Sequence, residues 1–243
     1  MSSASPILAL DLDGTLIDAK RRQVAVATTI IDTLNLAPLD GDAFWELKRN
    51  GHNTRSALEH LGYASDTARD VAERWAAAIE APDWLRLDAW LPGAKEALQR
   101  LQDDGMAVHI LTARRHADAV RDQCRILGLA SFATAIHVVD PAHAATAKAA
   151  LLTQAVAFIG DSESDADAAR LAGVAFVGVT GGQRSPAFLS GHGITELHPD
   201  LPSALAVLPA LTRAEAHPCE QAPEATLAPD GARDGPQRDP CRD

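Results

Sequence analysis

Ile7-Leu8-Ala9-Leu10 runs without a break into Asp11-Leu12-Asp13-Gly14-Thr15. A short, wholly apolar run closed by a turn signal reads as a buried strand followed by a sharp turn. A strand apolar on both faces belongs to a parallel sheet covered by helices, because only helices on either side hide both faces. In open parallel sheets the ligand crevice lies beyond the carboxyl ends of the strands. Two acids placed there constrain both the fold and its chemistry.

The rest of the chain fits that sheet after one long interruption. Ala19 to about Leu34 is helical in pattern, with Val24, Ala27, Thr28, Ile31 and Leu34 near one face. Helical segments follow over Asp42–Lys48, Arg55–Leu61 and Asp66–Glu80, with Asn53 or Thr54 as an N-cap. No strong strand is expected between Asp18 and Trp90. Beyond it, a helix opens at Leu91-Pro-Gly-Ala94 and runs to Leu101. Strands at 107–112, 135–139, 156–159 and 174–179 then alternate with helices at 115–127, 142–152 and 165–171. An edge strand at 194–197 and a helix at 202–208 close the pattern. The expected class is α/β: a mostly parallel sheet with helices on both faces and an inserted all-helical cap. The core is discontinuous, residues 1–17 and 91–211, with the cap over 18–90. Residues 212–243 are read as a disordered tail, since Arg213–Asp243 holds five Pro, one Leu and no aromatic residue.

Charge narrows the partners. The 243 residues carry a net charge of −11 and only four lysines, which disfavours nucleic acid and anionic membrane. A small anionic substrate stays open, because local donors and a bound cation can reverse the field in one cleft. Cys124, Cys219 and Cys241 show no metal or disulfide spacing, and no stretch approaches the ~18 apolar residues of a membrane span. The nine histidines lack ligand spacing and are read as non-ligands. The expectation is a cytoplasmic protein, monomer or homodimer.

Four groups of polar residues sit at or near strand ends: Asp11 and Asp13, Thr112, Lys148, and Asp161 with Asp165. If the strands are neighbours, four carboxylates converge, and such a cluster needs protons or a cation. Oxygen-only donors favour magnesium over zinc. Asp11 would attack phosphorus to give an aspartyl-phosphate. Asp13 would protonate the leaving oxygen and then take a proton from water. Thr112 and Lys148 would hold the phosphoryl oxygens, and Asp161 and Asp165 the cation. Each residue taken singly has a plainer reading: Asp11 and Asp13 as turn residues, Asp165 as a helix cap, Asp167 as a first-turn acid. Arg114 or Arg115 would face the cleft, or either would pair with surface acids.

In this order, Asp11-Leu-Asp-Gly-Thr-Leu16, Ile110-Leu-Thr-Ala-Arg114, Lys148 and Gly160-Asp-Ser-Glu-Ser-Asp165 resemble the four motifs of the haloacid dehalogenase superfamily. The resemblance spans nearly the whole core. It implies a Rossmann-like sheet and, from the insertion after the first motif, the helical-cap class of phosphoglycolate-phosphatase-like members. It implies Asp11 as nucleophile, Asp13 as acid/base and, through its carbonyl, a magnesium ligand. Thr112 and Lys148 would bind phosphate, with Asp11, Asp161 and Asp165 on the metal. Asp13 favours a phosphatase, since the family's dehalogenases generally lack that second carboxylate. A phosphomutase, a dehalogenase and a non-catalytic binding protein are the competing readings. Lys148, 13 residues before Asp161, sits close for a group that a helix must bring back. Selectivity for a small phosphorylated substrate falls to the cap, where Trp45, Lys48, Arg49, Asn53 and Thr54, with Arg55 beside them, form the most basic stretch. Their alternative is a buried Trp45 with solvated Lys48 and Arg49. Hinges are expected near Asp18 and Pro92-Gly93.

Overall fold

In the computed structural model, which describes residues 5–215, the opening apolar run is strand β1 (Ile7–Leu10). A two-residue strand β2 (Ile17–Asp18) leads into helices α1 (Lys20–Thr33), α2 (Gly41–Arg49), α3 (Thr54–His60), α4 (Ser65–Ala78) and α5 (Pro82–Leu85), and then β3 (Ala89–Trp90). Strands and helices alternate from there: α6 (Ala94–Asp103), β4 (Ala107–Ala113), α7 (Ala117–Ile126), β5 (Ala135–Val139), α8 (Ala144–Leu151) and β6 (Ala155–Gly160). The chain continues through α9 (Glu163–Ala172), β7 (Phe176–Val179), α10 (Pro186–Gly191), β8 (Leu197–His198) and α11 (Leu201–Glu215).

The larger sheet is parallel throughout, in the order β5-β4-β1-β6-β7-β8. β1 lies between β4 and β6, with Leu10 opposite Ile110 on one side and Ile159 on the other. Side chains alternate across it. Leu8, Leu10, Ile110 and Ile159 pack with Leu98 of α6, Val120 of α7 and Ala204 of α11. Ala9, Leu111 and Phe158 pack on the opposite face with Ala168 and Ala169 of α9. A fully buried leucine contributes about 1.5–3 kcal/mol, so both faces hold β1 in register.

The helical block has its own core of Ala27, Ile31, Phe44, Ala57, Leu58, Ala68 and Val71. Of the expected stripe, Ala27 and Ile31 are fully buried in that core and Val24 and Leu34 pack half-buried against it, while α1 also buries Arg22, Gln23 and Val26, which the stripe did not include. The difference has a physical cause: the first turn of α1 is buried against polar groups of the sheet domain, which apolar periodicity does not register. β2 and β3 pair antiparallel, Ile17 with Trp90 and Asp18 with Ala89, so the two crossings between helical block and sheet are tied side by side. Two-residue strands carry no period, and the sequence did not announce them. α10 was likewise not expected, and the edge strand falls at Leu197–His198 rather than 194–197. α11 continues to Glu215, past the expected end of the core. The remainder of the expected tail, 216–243, lies outside the described residues, as do Cys219 and Cys241. Cys124 is buried and free. Among the described residues no helix is long and apolar enough to cross a membrane.

The loop after β1 is pinned by its own backbone. Leu12 carbonyl accepts from the amides of Leu16 at 2.9 Å and Ile17 at 3.1 Å, and Leu12, Leu16 and Ile17 are fully buried. Gly14 turns the chain at φ 82°, and a Cβ there would overlap Oδ2 of Asp161. Gly14→Ala is expected to cost more than about 1 kcal/mol, because both the backbone and the space forbid a side chain. Calorimetry should show a Tm lower by at least about 2–4 °C for a domain of this size. An unchanged Tm would mean that Asp161 does not press against this loop.

Candidate active site

Three adjacent parallel strands end at one place. Asp11 follows β1, Thr112 is the second-last residue of β4, and Asp161 follows β6. The Asp11 amide donates to Ile159 carbonyl at 2.9 Å, which locks the first acid beside β6. Asp165 is set by the start of α9. Ser162 caps that helix and Asp165 returns the bond, its Oδ2 accepting from the Ser162 hydroxyl at 2.6 Å. Its Oδ1 accepts from Lys148 Nζ at 2.5 Å, and the same ammonium donates to Asp11 Oδ1 at 2.6 Å. Lys148 stands on α8, a helix of only eight residues, which is how a lysine so near Asp161 in sequence reaches the site.

Asp11, Asp161 and Asp165 each offer an oxygen within 4.8 Å of the others, and all three are buried. One ammonium does not balance them. Burial above all, with Asp165 and Asp13 adding to it against the pull of Lys148, pushes Asp11 up to about 7. Burial and then the charges of Asp11 and Asp165 hold Asp161 well above the usual carboxylate range. The opposing carboxylates outweigh burial at Lys148 and raise its pKa, keeping it an ammonium. Asp161 Oδ2 accepts from the Gln183 amide at 2.5 Å, and a Cβ on either Gly14 or Gly182 would overlap that oxygen. An all-oxygen set, short of positive charge and cradled by two glycines, fits a small hard cation. Asp11 Oδ2 meets no protein donor among the described residues.

Asp13 stands apart. Arg114 grips its carboxylate with both Nε and Nη2, at 2.7 and 2.5 Å, and Arg22 Nη2 adds a bond at 2.7 Å. Burial would raise this carboxyl, but Arg114 and Arg22 outweigh it and hold it below its ordinary value. Arg22 comes from α1 and also binds Asp88 at 2.9 Å, while Glu80 accepts from the amides of Arg115 and His116. These contacts seat the helical block on the sheet.

The five basic-stretch residues divide. Trp45 is buried. Asn53 caps α3, accepting from the Ser56 amide. Arg49 is part-buried and donates to Thr180 carbonyl at 2.8 Å, so it docks α2 onto the loop after β7. Lys48 is buried and donates to Thr54 Oγ1 at 3.0 Å, with its ammonium 4.4 Å from the Trp75 ring centre. The structure therefore buries Lys48 and engages Arg49, so neither is solvated as the alternative reading had it. None of the five lines the cavity beside Asp13. Sequence reasoning missed Arg22, Gln23, Glu80, Asp88, Gln183 and Arg184. Their partners lie far along the chain, and the only local hint was a polar start to the buried stripe of α1.

A family model described as "Haloacid dehalogenase-like hydrolase" matches residues 8–179. A curated phosphoglycolate phosphatase of Cereibacter sphaeroides (strain ATCC 17029 / ATH 2.4.9) is 30% identical over 214 residues, covering 82% of this chain and 97% of the relative. Another, from Rhodobacter capsulatus, is 28% identical over 196 residues, covering 74% and 86%. Among solved structures, a haloacid dehalogenase-like hydrolase of Streptococcus pneumoniae superimposes with a TM-score of 0.66 at 19% identity, covering 85% of this chain and 98% of that one. A subfamily IA hydrolase of Geobacter sulfurreducens PCA gives 0.58 at 20% identity, covering 76% and 90%.

Lys48 makes a separate stability prediction. Burial, with Arg184 adding to it, pushes its ammonium down to about 7 from an ordinary 10.5. Between those values the unfolded chain holds a proton that the native chain has released, so this group makes stability rise with pH. Below about 7 the native state carries the full burden of a buried charge. Lys48→Met should therefore melt higher than the parent near pH 6, with the gain shrinking toward pH 10. A variant that melts lower than the parent near pH 6 would contradict this account of Lys48.

Proposed function

Because the chain belongs to the haloacid dehalogenase-like hydrolase family, we propose that it is a magnesium-dependent phosphatase of small phosphomonoesters working through an aspartyl-phosphate on Asp11. The observation that carries the reading is the meeting of Asp11, Asp161 and Asp165 within 4.8 Å around one lysine. Asp11, Asp161 and Asp165, with the Asp13 carbonyl, are the residues that would hold magnesium. When bound, the ion supplies positive charge that lets an anionic nucleophile and an anionic phosphate approach each other.

The chain's own groups do the rest. Asp11, through Oδ2, forms the bond to phosphorus as the bond to the leaving oxygen breaks. Lys148 and Thr112 hold phosphoryl oxygens. Asp13 gives a proton to the leaving oxygen, then takes one from the water that cleaves the phosphoenzyme. In the present arrangement both Asp13 oxygens accept from arginines. Asp13 therefore gives up one arginine contact and takes a proton from solvent before it can pass that proton to the leaving oxygen. The helical block acts as a cap hinged at the paired β2 and β3, opening for substrate and closing to exclude water. Within it, Arg49 docks the cap, Asn53 orders α3, and Lys48, Thr54 and Trp45 are left for substrate contact as the cap shifts. The same reading places the enzyme in the cytoplasm, acting on a phosphorylated metabolite rather than on nucleic acid. Phosphoglycolate is the first substrate to assay, since curated relatives carry that activity in their names.

Hydrolysis of a panel of small phosphate esters should require magnesium and vanish on chelation. Asp11→Asn should lower kcat by the order of 10³-fold or more while the variant stays folded. Metal-independent turnover, or an active Asp11→Asn protein, would defeat the proposal.

A further inference from the structure

The segment between β7 and α10, residues 180–185, is held from two sides. On the sheet side, the Thr180 amide donates to His198 carbonyl at 2.8 Å and the Gln183 amide to Asp161 Oδ2 at 2.5 Å. Arg184 binds Glu163 of α9 through Nε and Nη2, at 2.7 and 2.9 Å. On the cap side, Arg49 clasps both ends of the segment. Its Nη2 donates to Thr180 carbonyl at 2.8 Å, and its own carbonyl accepts from the Ser185 amide at 2.9 Å. Lys48 carbonyl accepts from Arg184 Nη1 at 3.1 Å, and Gln183 Oε1 accepts from Gln23 Nε2 of α1 at 3.0 Å.

The segment has little with which to hold itself. It carries no apolar side chain, and Gly181-Gly182 lies at its centre, where glycine loses more backbone freedom on ordering than any other residue. Glycine is nonetheless required at 182, because a Cβ there would overlap Asp161 Oδ2 and the Gly14 carbonyl. Close approach to the acid thus demands a pliable stretch of chain, and its neighbours must supply the order. Arg49 and Gln23 supply it from the cap. The Gln183 amide therefore reaches one carboxylate of the acid group from a segment that the cap clasps.

We propose that residues 180–185 are a strap through which docking of the cap sets the affinity of the cation site, with Arg49 and Gln183 as positioning residues. Arg49 holds the strap, and the Gln183 amide fixes the rotation of the Asp161 carboxylate. This rests on the cation site assigned to Asp11, Asp161 and Asp165 under the phosphatase reading. Hydrogen-bond partners that orient metal ligands typically carry about 10–100-fold of the affinity. The strap is an element whose ordering both the ion and the cap favour, which is the physical requirement for coupling. By linkage, the ion then strengthens docking of the cap by the same factor by which docking strengthens the ion. The cation site is complete only beneath a seated cap.

Calorimetric titration with magnesium of the parent, Arg49→Ala and Tyr63→Phe tests this. Tyr63→Phe removes a bond wholly within the cap, from the Tyr63 hydroxyl to Ala37 carbonyl. Arg49→Ala should weaken magnesium binding by about fivefold or more, and Tyr63→Phe should leave it unchanged. Loss of a positive charge would by itself favour a cation, so weaker binding reports the strap and not the charge. Hydrogen exchange gives the reciprocal reading: in the parent, saturating magnesium should slow exchange of the Ser185 amide, which Arg49 carbonyl holds. Equal affinities in parent and Arg49→Ala would overturn the inference. So would an equal loss in Tyr63→Phe, which would reduce the effect to general loosening of the cap. If Arg49→Ala does not fold, exchange at Ser185 in the parent decides alone, and exchange unchanged by magnesium overturns the inference. A parent that binds no magnesium would remove the cation site and the phosphatase reading, and the inference with them.

Discussion

One ammonium, Nζ of Lys148, lies 2.6 Å from Asp11 and 2.5 Å from Asp165, with Asp161 completing the acid group. Removing that lysine would leave three buried carboxylates with no cation of the protein's own among them. Keeping it leaves the set still short of positive charge, as the raised Asp11 and Asp161 show. Much of the surrounding structure serves this balance. The parallel sheet brings the strand ends together, α9 is capped through Asp165, and Gly14 and Gly182 yield the space that Asp161 occupies. Buried carboxylates gathered in excess of their cations are one arrangement that leaves such a deficit. A site built to receive a cation does so before the cation arrives.

Around that centre a second network joins the two parts of the molecule. Asp88, Arg22, Asp13 and Arg114 form a buried chain that starts in the helical block and ends at the sheet. Arg49 and Arg184 tie α2 to the loop after β7, with Arg184 Nη1 donating to Lys48 carbonyl at 3.1 Å. These ties are charged or polar, and the helical block keeps an apolar core of its own. The residue that would transfer the proton is thus also the residue through which the seating of the cap is felt.

The sheet was legible because each central strand is a short apolar run bounded by turn residues, and because ligands gather at the carboxyl ends of parallel strands. Asp11 and Asp161 could be placed together on those grounds alone, and Lys148 joined them through the order of the family motifs. The short α8 explains the spacing at Lys148 that had looked too tight. The cap was legible as helices but not as a surface. Its charged residues find partners far along the chain, 35 positions away for Glu80–Arg115 and 131 for Arg49–Thr180, and one sequence carries no record of such pairing. Lys48 and Arg49 are neighbours in sequence, yet one is buried against Trp75 and the other reaches the sheet domain. α10 escaped notice although Ser185-Pro186 is an N-terminal signal, because six residues are too few to show a period.

The central claim is that these three carboxylates form a cation site, and calorimetric titration of the protein with magnesium tests it most directly. The account predicts saturable binding of one ion per chain, lost in Asp161→Asn with the fold retained. Absence of saturable binding, or binding unaltered by that substitution, would contradict it.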